Sequence, residues 1–222
     1  MTSRASIIVY YDVVSPYSYY GIKLLNRYRP QWKDVDVEFR PSFLAGILEG
    51  AKNQAPGVVA AKGAYMYTDL NKISVATGIP FQFPSRFPLL TITPMRLLIV
   101  VQKHAADKYE KCIEKLYDEY WCNDKEITDA DVLVDALAPI LGAAKVKEFL
   151  QMTSQKEIKQ ELISNTNQAI EAGAFGAPTF IVKKAGPEEE DHIFFGSDRF
   201  ELIASFLDVP YPGLAPNPAA KL

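Results

Sequence analysis

Cysteine and histidine are scarce in this sequence: its 222 residues include two of each. Cys112 and Cys122 do not form a Cys-x-x-Cys pair. Two thiols cannot staple a chain of this length, so a reducing compartment is expected, with each cysteine serving as a small buried apolar residue. No cluster of Cys and His stands at ligand spacing, so no metal is expected. Charge of one sign is also missing. Against 24 Lys and Arg stand 27 Asp and Glu, a formal net charge of −3. That balance gives no global attraction for nucleic acid or an anionic membrane, and neither is expected as a partner. Long hydrophobic runs are absent too. The longest candidate, Leu97 to Val101, is far short of the roughly 20 residues that cross a bilayer. Met1-Thr2-Ser3-Arg4 passes straight into a strand-like run, so no signal peptide is expected.

What is present is ordinary globular material, 48% hydrophobic and 23% charged. Ser6 to Tyr11 is a β-branched and aromatic run, the pattern of a buried strand. Ser15 then offers an N-cap and Pro16 a first helical residue. Tyr17, Tyr20, Leu24 and Tyr28 recur at helical spacing, and Pro30 ends that helix. Val35 to Arg40 alternates with period two, a second strand. Strand, helix, strand in so short a span predicts a βαβ unit with parallel strands. Near the other end, Pro178 to Val182 and His192 to Phe195 read as a hairpin across a charged turn. Asp198 with Glu201 reads as a capping box for a helix to about Leu207. Between these halves the spacing predicts helices over Val58–Gly78, Pro94–Ala106, Lys108–Trp121, Asp129–Leu141, Ala144–Met152 and Gln155–Ala172, with Thr128 and Asp131 capping the fourth. The loop Phe81-Pro84-Phe87-Pro88 is stiffened by proline and is expected to line a pocket.

A βαβ half and a ββα half make a thioredoxin-like α/β fold, and a large helical insertion between them makes it DsbA-like. The expected organisation is residues 1–52 for the first half, 53–173 for an all-helical insertion, and 174–222 for the second half with its tail. More narrowly, YDVVSPYSY, FRPSFLAGILEG, NQAP, KGAYM, GAFGAPTFIV and FFGSDRFELI occur in order along the chain. In these the chain resembles the kappa-class glutathione transferases over nearly its whole length. The related 2-hydroxychromene-2-carboxylate isomerases share Ser-Pro-Tyr-Ser and GAFG-x-P.

The resemblance implies an enzyme that joins the thiolate of reduced glutathione to small hydrophobic electrophiles. Organic hydroperoxides are a second expected substrate. Glutathione would be a co-substrate, with no cofactor required. Redox relatives place a cysteine where Ser15 stands. A helix N-terminus favours a thiolate. A transferase needs that thiolate on its substrate, so a hydroxyl in the cysteine's place would stabilise another molecule's sulfur. Ser15 alone also reads as a plain N-cap. Pro16 and Tyr17 follow it into the site. By resemblance Ala177 and a cis Pro178 pair with the cysteinyl backbone of glutathione. Ser197 and Asp198 meet its γ-glutamyl end, with Arg199 a second candidate for the carboxylate there. Asn53 would hold its backbone and Lys62 its glycine carboxylate. Each of these has a local alternative: a strand-start proline, a capping box, a loop asparagine, an exposed helical lysine. Tyr19 and Tyr20 replace the tryptophan and aliphatic residue frequent in relatives, and Thr91 to Pro94 also departs, which leaves the electrophile open. A glutathione-dependent isomerase and a redox-inactive binding protein are the alternatives. Relatives are homodimers. The C-terminal Ala220-Lys221-Leu222 resembles the peroxisomal Ser-Lys-Leu address, and relatives add the mitochondrion as an alternative.

Overall fold

The computed structural model describes residues 4–186 and 189–214. The C-terminal tripeptide therefore lies outside the described residues. The chain runs β1 (Ala5–Tyr11), α1 (Pro16–Tyr28), β2 (Val35–Pro41), α2 (Leu44–Gly50), α3 (Ala60–Thr77) and α4 (Ile92–His104). It continues through α5 (Tyr109–Trp121), α6 (Ala130–Leu141), α7 (Ala143–Met152) and α8 (Lys156–Glu171). It ends with β3 (Thr179–Lys183), β4 (His192–Phe195) and α9 (Phe200–Leu207). The four strands form one sheet in the order β2-β1-β3-β4. β1 is parallel to β2, and β3 is antiparallel to β1 and β4. This is the thioredoxin arrangement expected from the sequence.

The sheet is covered on both faces. Ile7, Val9 and Tyr11 of β1 join Phe180 and Val182 of β3 in the main core, together with α1 and the helical insertion. Tyr10 and Ile181 point the other way, toward Ile47 and Ala169. A strand with both faces buried needs apolar residues at nearly every position, as SIIVYY supplies. The parallel register sets Tyr11 beside Pro41, and Ser42 N–H donates to the Tyr11 carbonyl at 2.9 Å. The ends of β1 and β2 thus open side by side at one edge. α1 packs close to β3 there: a Cβ on Gly21 would lie 3.0 Å from Pro178 Cγ.

Several expectations need correction. α2 was not foreseen. It is seven residues long and has Phe43 at its N-cap with no side-chain cap of its own. Its start is held from far away in sequence: Phe43 N–H donates to Thr166 Oγ1 at 3.0 Å and Leu44 N–H to Asp12 Oδ2 at 2.9 Å. The cap of α6 is Asp129, whose carboxylate accepts from Asp131 and Val132 N–H, while Thr128 turns to Glu126. The capping box at α9 does not form, because Arg199 occupies the N-cap position and Asp198 falls one residue outside it. The proline-stiffened loop packs its phenylalanines against the core. Phe81 stacks on Trp121 at 5.6 Å, and Phe83 and Phe87 close around the same indole.

Candidate active site

Three separate stretches meet at the open end of the sheet: 12–18, 175–179 and 196–199. Ser15 is central. It caps α1 with its backbone extended at φ −87°, ψ 116°, and its Oγ accepts from Ser18 N–H at 3.1 Å. Pro16 follows as the first helical residue. It has no N–H, so Tyr17 presents the first helical donor that no carbonyl within the helix can satisfy. The Ser15 hydroxyl donates across the cleft to the Ala177 carbonyl at 2.8 Å. Ala177-Pro178 is a cis peptide. Ser15 and Ala177 are both nearly buried.

The third stretch is tied to the second. Gly196 N–H donates to the Pro178 carbonyl at 3.1 Å. Gly196 has φ +96°, and a Cβ there would lie 2.9 Å from Asp198 Oδ1, so backbone conformation and space both call for glycine. Ser197 is buried, whereas Asp198 is exposed and pairs with Arg199 at 3.3 Å. Asn53 closes another side. Its amide donates to the Phe175 carbonyl at 2.7 Å, joining the loop after α2 to the Ala177 loop.

α3 reaches over the site. Tyr17 Oη donates to Asp69 Oδ2 at 3.0 Å, and Tyr65 Oη donates to Asp69 Oδ1 at 3.2 Å. Burial, the Asp69 carboxylate, Tyr65 and the more distant Asp198 push the Tyr17 phenol far above its ordinary value. Tyr17 therefore stays neutral and acts as a donor. Lys62 is exposed and lies on the same face of α3 as Tyr65 and Asp69, three and seven residues before them. The structure thus brings Ser15, Pro16, Tyr17, Ala177, Pro178, Ser197, Asp198 and Arg199 to one cleft. Asn53 is joined to them through the Phe175 carbonyl, and Lys62 lies exposed near the start of α3.

Tyr19 and Tyr20 do not border the Ser15 site, as their sequence position suggested; Tyr19 instead lines a separate groove with Lys23, Pro80 and Cys122. Both are fully buried, and their hydroxyls donate to the Pro80 and Leu70 carbonyls at 2.6 and 2.8 Å.

Sequence reasoning missed two carboxylates, Asp12 and Asp69. Asp12 is fully buried at the turn before Ser15. Its carboxylate accepts from Val14 N–H at 3.1 Å, Leu44 N–H at 2.9 Å and Thr91 Oγ1 at 2.6 Å. Its carbonyl accepts from Ser15 N–H at 3.0 Å. Burial pushes its pKa up, and the three donors oppose that shift. One signal was available: Asp12 is the single charge in the otherwise uncharged stretch from Ala5 to Ile22. Asp69 gave no local signal, because an acid on a solvated helix is the commonest surface pattern.

Comparison with known proteins identifies the family. Residues 6–208 match the DSBA-like thioredoxin domain family. The chain is 31% identical over 217 residues to glutathione S-transferase kappa 1 of Homo sapiens, covering 95% of this chain and 94% of that protein. It is likewise 31% identical over 214 residues to the protein of that name from Rattus norvegicus, covering 94% and 93%. Among solved structures it superposes on a 2-hydroxychromene-2-carboxylate isomerase with a TM-score of 0.74 at 20% identity, covering 91% of this chain and 94% of that one. The chain is therefore a DsbA-like thioredoxin-fold enzyme and belongs to the kappa class of glutathione S-transferases.

Proposed function

We propose that the protein binds reduced glutathione in the Ser15 cleft and transfers its thiolate to small hydrophobic electrophiles. The observation that carries this reading is the Ser15 hydroxyl, a buried donor at a helix N-terminus facing the Ala177-Pro178 peptide. In the free protein its proton is engaged by the Ala177 carbonyl. A cysteinyl residue laid along Ala177 as an added strand would bring its own N–H to that carbonyl. The Ser15 proton is then released toward the sulfur, while Ser18 N–H remains on Ser15 Oγ. Peptide pairing and thiolate stabilisation become one exchange of donors.

A free thiol has a pKa of roughly 8.5, and a two-unit drop needs about 2.7 kcal/mol of preferential thiolate binding. One charge-assisted hydrogen bond and a helix terminus are together of that size. The thiolate then attacks an electrophilic carbon, the S–C bond forms, and the leaving group departs with its electron pair. With an organic hydroperoxide it attacks the O–O bond instead. A second glutathione completes that reaction to the disulfide, an alcohol and water.

Asp198 suits the γ-glutamyl ammonium, and Ser197 or Arg199 its carboxylate. Asn53 would meet the glutathione backbone and Lys62 the glycine carboxylate. The exposed apolar residues Val58, Val59, Tyr65, Tyr67 and Val75 around α3 support a homodimer, which sedimentation tests. The tripeptide Ala220-Lys221-Leu222 supports peroxisomal residence over the mitochondrial alternative, and relocation on its removal is the check.

The deciding experiment is glutathione binding by calorimetry, paired with thiolate absorbance across pH. Wild type should lower the bound thiol pKa well below 8.5. Ser15→Ala should retain glutathione within a few-fold, raise that pKa by about one to two units, and lower turnover about tenfold or more. Unchanged pKa and turnover in Ser15→Ala would remove Ser15 from the mechanism. No binding at millimolar glutathione would leave a redox-inactive binding protein. The fold shared with the isomerase favours a second reaction to assay, isomerisation that returns glutathione unchanged.

A further inference from the structure

A second cavity lies outside the Ser15 cleft. It is a groove of about 420 Å³ between α2, α4 and α8. None of the residues assigned above to glutathione lines it. Its walls are apolar, with Phe43, Ile92, Leu162 and Ile170 prominent among them. Its base is created by two glycines on one face of α2. A Cβ on Gly46 would lie 3.0 Å from Thr166 Cγ2, and one on Gly50 only 2.5 Å from Ile170 Cδ1. α2 and α8 therefore run side by side at close range.

Charge enters this groove unevenly. Arg96 of α4 and Lys159 of α8 line it, against one acid, Glu49 of α2. Among the described residues, none of these three side chains makes an ion pair or hydrogen bond. The contacts of Gly46 with Thr166 and Gly50 with Ile170 set Glu49 beside the last turns of α8. At about 1.5 Å per residue, Lys159 stands roughly 16 Å further back along that helix. Lys159 is thus far from Glu49, and neither cation is paired. Arg96 Nε is moreover occluded from solvent and has no hydrogen-bond partner. A buried donor without a partner is costly, and guanidinium matches carboxylate geometry well.

We propose that this groove is a second binding site, for an organic carboxylate with an apolar body. The hydrocarbon part covers the Phe43, Ile92 and Leu162 walls, and the carboxylate accepts from Arg96 with Lys159 nearby. The volume lies within the range of small-molecule sites. An inorganic anion would leave the apolar walls uncovered, and a neutral lipid would leave the Arg96 guanidinium without a counter-charge.

The test is calorimetric titration of the full chain with decanoate below its micellar concentration, with glutathione present at saturation. The expected result is saturable binding at one site per chain. Arg96→Gln should weaken it at least tenfold. Ile163→Glu should do the same, since Ile163 lines the groove and is 48% exposed, so the fold tolerates the change. Decanol should bind no better to wild type than decanoate binds to Arg96→Gln, and Ser15→Ala should leave decanoate binding unchanged. The proposal is overturned by binding that does not saturate, or by Arg96→Gln binding as wild type does. It is also overturned if glutathione displaces decanoate, which would put the ligand in the Ser15 cleft. An affinity that falls as protein concentration rises would assign the groove to contact between copies of the chain.

Discussion

The two walls of the Ser15 cleft are built differently. One is the β1–α1 junction, where Asp12, Val13 and Ser15 are tied to distant parts of the chain. Val13 N–H faces Met95 Sδ at 3.4 Å, Trp121 Nε1 donates to the Val13 carbonyl at 3.0 Å, and Tyr117 donates to the Asp12 carbonyl at 3.2 Å. The other wall is α3. Of its 18 residues only Met66, Leu70 and Thr77 are buried, and it begins without a side-chain cap. It meets α1 through the Asp69 carboxylate, which accepts from Tyr17, and through the Leu70 carbonyl, which accepts from Tyr20. The first wall holds the Ser15 hydroxyl in place through these bonds. The second has fewer buried residues holding it. A transferase needs both, a fixed nucleophile and a tolerant electrophile side.

The largest expected effect breaks the rigid wall. Asp12→Ala leaves three buried donors without an acceptor and should cost about 3 kcal/mol or more in denaturant unfolding. The Asp12 carboxyl also gives this wall a pH signature. Its folded pKa is raised, so the native state binds the proton more tightly than the unfolded chain. Stability should therefore fall as pH rises from the unfolded value of about 3.9 through the raised native value. Asp12→Asn should abolish that slope, whatever its effect on absolute stability.

A smaller effect loosens the α3 wall. Asp69→Ala removes the acceptor of two partly exposed tyrosines and should cost about 1 kcal/mol. Amide exchange should accelerate along α3 and remain unchanged in β1 and α1. Equal acceleration in both would erase the contrast between the walls. Tyr17→Phe should leave the pH–rate profile below pH 10 unmoved, because the Tyr17 phenol is pushed far above that range. A profile that shifts would make Tyr17 a titrating group. The smallest effect belongs to the exposed Asp198–Arg199 pair. Asp198→Asn should change stability by less than about 1 kcal/mol while raising the KM for glutathione several-fold.

The legibility of this molecule follows the range of the forces involved. SIIVYY reads as a strand because both its faces are buried, and buried pairing demands β-branched and aromatic residues along its length. Ser15-Pro16 reads as a helix start because capping is settled within four residues. α2 was illegible because its first donors are satisfied by Asp12 and Thr166, residues more than 30 positions away. Capping of α6 was misplaced by one residue, a distance over which Thr128 and Asp129 offer similar acceptors, and at α9 the N-cap position fell on Arg199, whose side chain cannot accept. Tyr19 and Tyr20 suggested a pocket by their nearness to Ser15, yet a helix turns successive side chains by about 100°, and theirs face the core.

The sequence by itself determined the two thioredoxin halves, the helical segments between them and the hydroxyl that replaces a thiol at the head of α1. All of these rest on short-range periodicity, capping chemistry and residue identity. Only the tertiary structure decided that the Ser15 proton rests on Ala177, that Asp12 anchors the turn from beneath, and that Asp69 ties α3 to Tyr17. The same holds for Arg96, left without a partner in a groove. The bonds of Ser15 with Ala177, Tyr17 with Asp69 and Thr91 with Asp12 each join groups separated by 50 or more residues. Their partners are selected by the packing of the whole chain, which no local pattern encodes.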